Sequence, residues 1–93
     1  MKKTIIVRFS IKPEFISRIR AASKDLLEQT RQEAGCLAFN FYQCTENPSD
    51  FIFYEKFKDR EAVQLHNEAI YVQDFLAVIK ESSQIDMDLE VFD

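Results

Sequence analysis

The sequence predicts an α+β domain, a ferredoxin-like βαββαβ antiparallel sheet with helices on one face. Three observations carry this. Four stretches have strand character, two regions have helical periodicity, and they alternate in the order βαββαβ with the second helical region broken in two. A chain of 93 residues holds one hydrophobic core, so residues 1–93 read as a single domain.

The first strand is Thr4 to Ile11, rich in β-branched residues and alternating from Val7 onward. Lys12-Pro13-Glu14 ends it, with Pro13 suited to a first helical turn. From about residue 13 to 33, Phe15, Ile16, Ile19, Ala22, Leu26, Leu27 and Thr30 form one helical stripe. Gly35, the only glycine, stands where a left-handed cap would close that helix. A single glycine also excludes phosphate-cradling loops and the dinucleotide fingerprint.

Residues 36–44 read as the second strand, 46–50 as a turn, and 51–57 as the third strand, giving a hairpin. Asp59 is placed to cap a helix through Ala62, Val63, Leu65 and His66. A second helix is expected over about 72–81 and a last strand over 84–92. Simple alternation puts Leu37, Phe39 and Phe41 on one face of the second strand and Cys36, Ala38 and Tyr42 on the other. Both faces of the sheet then carry apolar side chains. A second copy in a two-fold dimer would cover the face without helices; a monomer with modest surface aromatics is the alternative.

Composition narrows function. Sixteen acidic against 12 basic residues give a net charge of −4, with no basic footprint for nucleic acid. Cys36 and Cys44 are too few for a disulfide framework, match no zinc spacing, and fall at even spacing on one strand; they read as free thiols of a reducing compartment. The N-terminal apolar run is too short for a signal peptide, and no stretch reaches the length of a membrane span. A cytoplasmic protein without membrane or nucleic-acid partners is expected.

Candidate chemistry gathers around residues 51–66. His66, the only histidine, is either an acid/base group at a pocket edge or a helix-end histidine tied to a backbone carbonyl; it shares a stripe with Val63 and Ile70. Glu55 has the parity of Phe51, Phe53 and Phe57, so it faces aromatics. It is either a perturbed acid or substrate contact, or the partner of Arg8, Lys56, Lys58 or another chain. Phe53, Phe57, Tyr71 and Phe75, with Phe39, Phe41 and Tyr54, either line a pocket for a flat organic molecule or form plain core. Asn40 lies mid-strand among apolar residues and needs a partner for its amide, structural or ligand. No metal set and no cofactor motif is present.

Glu33-Ala-Gly-Cys-Leu-Ala-Phe39, Phe51-Ile-Phe-Tyr-Glu-Lys-Phe57, Asp59-Arg-Glu-Ala62, His66 and Phe75 together resemble the antibiotic biosynthesis monooxygenase family of dimeric α+β barrels. The resemblance runs from about Thr4 to the final strand. It implies a homodimer and a cofactor-independent oxygenation of a quinol, polyphenol or other small aromatic or enolisable substrate by oxygen. On this pattern His66 is the catalytic residue and Phe57 and Tyr71 are pocket walls; with Glu55, Phe53, Asn40 and Phe75 from the reading of the residues themselves, they make up the expected substrate-binding set.

Phe57 stands where the family pattern has Trp, and the chain has no Trp. The first strand also lacks the Asn used by haem-degrading relatives, so haem degradation is not expected. Phe57 and the Glu-Ala-Val segment also resemble the branch that isomerises a small phosphorylated hydroxy-ketone in autoinducer-2 processing. That alternative requires cationic side chains at the pocket mouth. A non-catalytic ligand-binding dimer is the third reading.

Overall fold

The computed structural model describes Met1–Asp93. Its elements are β1 (Lys3–Ser10), a short 3-10 turn (Pro13–Phe15), α1 (Ile16–Arg31), β2 (Cys36–Gln43), β3 (Asp50–Phe57), α2 (Arg60–Glu68), α3 (Ile70–Ser82) and β4 (Asp88–Phe92). The four strands form one sheet in the order β2-β3-β1-β4, every neighbouring pair antiparallel. This is the ferredoxin-like arrangement that the sequence predicts.

Strand parity places the core. Ile5, Val7 and Phe9 of β1 lie opposite Glu55, Phe53 and Phe51 of β3. All six are buried. The five apolar ones meet Ile19 and Leu26 of α1 and Val72, Phe75 and Ile79 of α3 in one hydrophobic cluster. Phe9 and Phe41 contact each other and each also contacts Phe51 and Phe53, with ring centroids 4.5 to 6.1 Å apart. Such pairs add about 0.5–1.5 kcal/mol each beyond burial.

Three local features differ from simple pattern reading, each for a physical reason. A β-bulge lies between Cys36 and Ala38. Cys36 faces Phe57 and Phe39 faces Glu55, so the extra residue, Leu37, is turned out and is 49% exposed. Cys36 therefore shares the helix-side face with Phe39 and Phe41, and uniform alternation fails at this point. Both cysteines are free.

Second, Gly35 does not adopt a left-handed conformation. α1 unwinds through tight turns, with Gln32 and Glu33 donating to the carbonyls of Gln29 and Thr30. Glycine is required by close packing instead, because a β-carbon at position 35 would collide with that of Ala62.

Third, β4 begins at Asp88 rather than 84. The Gln84 amide donates to the Ser10 carbonyl at 2.8 Å and Ser83 bridges to Ile11, whereas Asp88 pairs with Arg8. Residues 85–87 must arch between those anchors. α3 also starts two residues early, at Ile70. Ala69 adopts an extended conformation (ψ 138°) and breaks α2 from α3.

Asp59 caps α2 as its chemistry dictates, its Oδ1 accepting from the Ala62 amide at 2.9 Å. No helix is long and apolar enough to cross a membrane.

Candidate functional site

A cavity of about 510 Å³ lies between the sheet and the helices. Thirteen of its 18 lining residues are hydrophobic, including Phe39, Phe53, Phe75 and Leu76. Leu89, Val91 and Met87 close the side toward β4. A mostly apolar wall with a few convergent polar groups is the usual form of a small-molecule site.

The buried polar groups are Glu55 and His66; Lys3, Arg60 and Asn67 complete the polar part of the lining. Glu55 reaches the cavity because β3 parity points it the same way as Phe53. His66 reaches it from the last turn of α2, which the Asp59 cap starts in register. Both are buried, at 7% and 3% exposure. Glu55 Oε1 lies 3.8 Å from His66 Nε2. That is beyond a hydrogen bond and leaves both atoms available to a third group. No basic side chain pairs with Glu55; Arg8 reaches Glu90 instead. Burial pushes the Glu55 carboxyl up to about 8, with the nearby Glu33 charge adding to the effect. Glu55 is thus a neutral acid at pH 7, able to donate a hydrogen.

The other ring nitrogen of His66 faces a different carboxylate. Nδ1 lies 3.0 and 3.2 Å from the two Glu33 carboxylate oxygens. The Tyr71 hydroxyl also donates to Glu33. Burial, together with this bond, pushes the Tyr71 phenol up to about 12, so it stays protonated and donating. With Glu33 accepting at Nδ1–H, the neutral imidazole carries its lone pair on Nε2, toward the cavity.

Rings fix the His66 plane. Phe57 packs on it at 4.9 Å between centroids and Phe39 at 5.4 Å. Phe57 is fully buried and lies behind His66, outside the cavity lining. Tyr71 likewise turns away from the cavity to Glu33. Asn40 pairs with Tyr54 in register, on the sheet face opposite Glu55. Its Oδ1 accepts from Arg31 Nη2 at 3.3 Å, and Arg31 Nε also donates to the Phe39 carbonyl. Of the structural and ligand partners that the sequence left open for this amide, the structure supplies a structural one, a brace between α1 and the edge strand. Ile70 does not extend the His66 stripe; it is 74% exposed beyond the Ala69 break.

Four of the seven sequence-derived site residues, His66, Glu55, Phe53 and Phe75, meet at the cavity. Phe57 and Tyr71 act one layer back, and Asn40 stands apart. Sequence reading missed Glu33 as a site residue, because it sits at a helix end among exposed charges; its place two residues before the sole glycine was the available signal. Lys3 and Arg60 on the cavity rim were also missed. No group of three His, Cys, Asp or Glu side chains converges in metal-binding geometry.

Residues 4–78 match the family model described as antibiotic biosynthesis monooxygenase. The chain belongs to that family. A crystal structure of an antibiotic biosynthesis monooxygenase superposes with a TM-score of 0.93 at 30% identity, covering 100% of this chain and 97% of the other. Rv0793 from Mycobacterium tuberculosis superposes equally well, with a TM-score of 0.93 at 22% identity over 100% of this chain and 94% of its own, which shows the shared fold. In sequence, YcnE of Bacillus subtilis (strain 168), which bears a provisional monooxygenase name, is 28% identical over 79 residues, 85% of this chain and 83% of its own. The protein sll1783 of Synechocystis sp. is 29% identical over 66 residues, 71% of this chain; the match spans 45% of sll1783. Members of the antibiotic biosynthesis monooxygenase family thus share both the helix-backed sheet and nearly the full length of this chain.

Proposed function

We propose that this family member is a monooxygenase that uses oxygen, without a bound metal or flavin, on a quinol- or polyphenol-like molecule held in the apolar cavity. The carrying observation is the pair formed by Glu55 and His66 Nε2, 3.8 Å apart on a mostly apolar wall. His66 takes the acidic proton of the substrate as general base. The neutral Glu55 donates a hydrogen bond to the resulting anion and stabilises it where water is scarce. Phe53 and Phe75, in edge-to-face contact at 5.5 Å, offer ring faces to a flat substrate. The electron-rich anion then reacts directly with oxygen.

The working form is read as one domain per chain and a homodimer in the cytoplasm. The sheet face without helices carries Ile6, Ala38, Ile52 and Tyr54, all half-buried, and the exposed Tyr42. A second copy would cover them.

The test is oxygen uptake by the pure, metal-stripped protein against a panel of quinols and anthrones. Turnover that is lost in His66→Ala is the expected result. No turnover across the panel, with a folded protein, would overturn the reading and leave an isomerase or a non-catalytic binding dimer. One observation favours a second reaction: Lys3 and Arg60 line the cavity rim. Two cations there suit the phosphate of a small hydroxy-ketone, which the same base could isomerise. Lys3 is already paired with Asp93, which weakens its claim on a phosphate.

A further inference from the structure

The polar chain around His66 joins two separate spaces. Glu55 lines the inner cavity. Glu33 and Tyr71 line a different groove of about 280 Å³, together with Lys58 and Asp59. The imidazole ring lies between, Nε2 toward Glu55 and Nδ1 against Glu33. The Glu33 side chain is 19% exposed, whereas the His66 side chain is 4% exposed.

We propose that His66 and Glu33 form a proton relay from the cavity to this outer groove, with Glu33 as its outer port and Tyr71 as a positioning residue. The proposal rests on the reading of His66 as the base. The substrate proton bonds to Nε2 while the Nδ1 proton passes to a Glu33 oxygen, and the ring bonds rearrange to the other neutral tautomer. The ring holds no net charge before or after, so no unpaired imidazolium is left beside an apolar cavity, where it would be costly. Protonated Glu33 exchanges its proton with water in the groove.

No electrons pass to the protein. The substrate anion adds to oxygen as a peroxide, and the relay runs backward to protonate it: Glu33 returns a proton to Nδ1 and Nε2–H gives its own. Loss of water from the hydroperoxide leaves a carbonyl. One oxygen atom is then in the product and one in water, and the starting tautomer is restored. Tyr71 holds the Glu33 carboxylate in place by its hydrogen bond. The titratable groups facing this unit are Glu55 from β3, Tyr71 from α3 and Cys36 from β2, with Lys58, Asp59 and Glu61 in the outer groove. Cys36 is itself raised by burial and by the charges of Glu33 and Glu55.

Because the chain has one histidine, its imidazole nitrogen signals need no assignment. The experiment is nitrogen NMR of the full-length labelled chain without substrate, with pH raised until the ring is neutral. The expected wild-type form is the Nδ1–H tautomer. Glu33→Gln should shift the ring toward Nε2–H, and Glu33→Asp should retain Nδ1–H. A wild-type ring already in the Nε2–H form, or a Glu33→Gln spectrum unchanged from wild type, would overturn the relay.

With a quinol that the wild type oxidises, Glu33→Gln should lower kcat by roughly 10- to 100-fold with KM little changed. Tyr71→Phe should fall between the two. Unchanged kcat in Glu33→Gln would also overturn it. The predicted tautomer in a protein without turnover would instead overturn the oxygenase reading and keep the coupling of His66 to Glu33.

Discussion

Glu55 and His66 face each other across 3.8 Å without a bond, and Glu55 carries its proton up to about pH 8. This links stability to pH. The native carboxyl binds a proton over a window where the unfolded carboxyl, near its ordinary 4.5, has lost it. Native protein therefore holds more protons than unfolded protein between about pH 4.5 and 8, and stability falls as pH rises through that window. The slope from this one group approaches about 1.4 kcal/mol per pH unit. Glu55→Gln should flatten it and be the more stable protein at pH 8, read by urea unfolding from pH 5 to 9. A wild-type slope that survives the substitution would assign the effect elsewhere.

Phe57 is fully buried and packed against the His66 ring. Phe57→Ala should cost about 3–5 kcal/mol, from lost transfer energy plus the cavity left behind. The milder Phe57→Leu should keep the fold but loosen the ring. Its kcat for oxygen uptake should then drop while the unfolding midpoint shifts only modestly. Equal kcat in Phe57→Leu and wild type would show that ring packing does not hold the base in place.

The contact of Gly35 with Ala62 seats α2 on the start of β2. Gly35→Ala should destabilise by about 1–3 kcal/mol through overpacking. Ala62→Gly makes room but weakens the helix by about 1 kcal/mol. The double variant should recover part of the loss, and the coupling in a double-mutant cycle measures the clash directly. Strict additivity would mean that the loop shifts to relieve it.

Asn40→Ala should leave oxygen uptake unaltered, because its side chain lies across the sheet from Glu55. The expected change is a small loss of stability, on the order of 1 kcal/mol, from the Arg31 hydrogen bond. A large rise in KM would restore Asn40 to substrate binding.

Much of this molecule was legible from periodicity. Glu55 was assigned to an aromatic face because β3 alternates without interruption, and the structure keeps that parity throughout. Strand β2 was misread at its start because a bulge leaves no signature in the residue pattern; it is fixed by the partner strand. The same limit applies to Glu33. Its immediate neighbours, Gln32 and Ala34, are exposed and carry no chemistry, and its role comes from two residues 33 and 38 positions away. His66 was singled out as the only residue of its type. That it stands between two carboxylates depends on how β3 and the end of α1 converge, which no single segment encodes. For Asn40 the sequence left a structural or a ligand partner open, and the neighbouring helix supplies a structural one in Arg31.

Strand β4 has only β1 as a ladder neighbour, and each of its five residues is exposed, yet Leu89 and Val91 close the cavity. Within the chain, this side of the cavity is therefore shaped by one short edge and not by the phenylalanine cluster. Edge fraying costs far less than global unfolding. Core substitutions away from the cavity could lower the melting temperature while leaving this wall intact, and a cross-link from β4 to β1 would fix the wall in a protein made more stable. Amide exchange should report this as a fast β4 beside a slow β3.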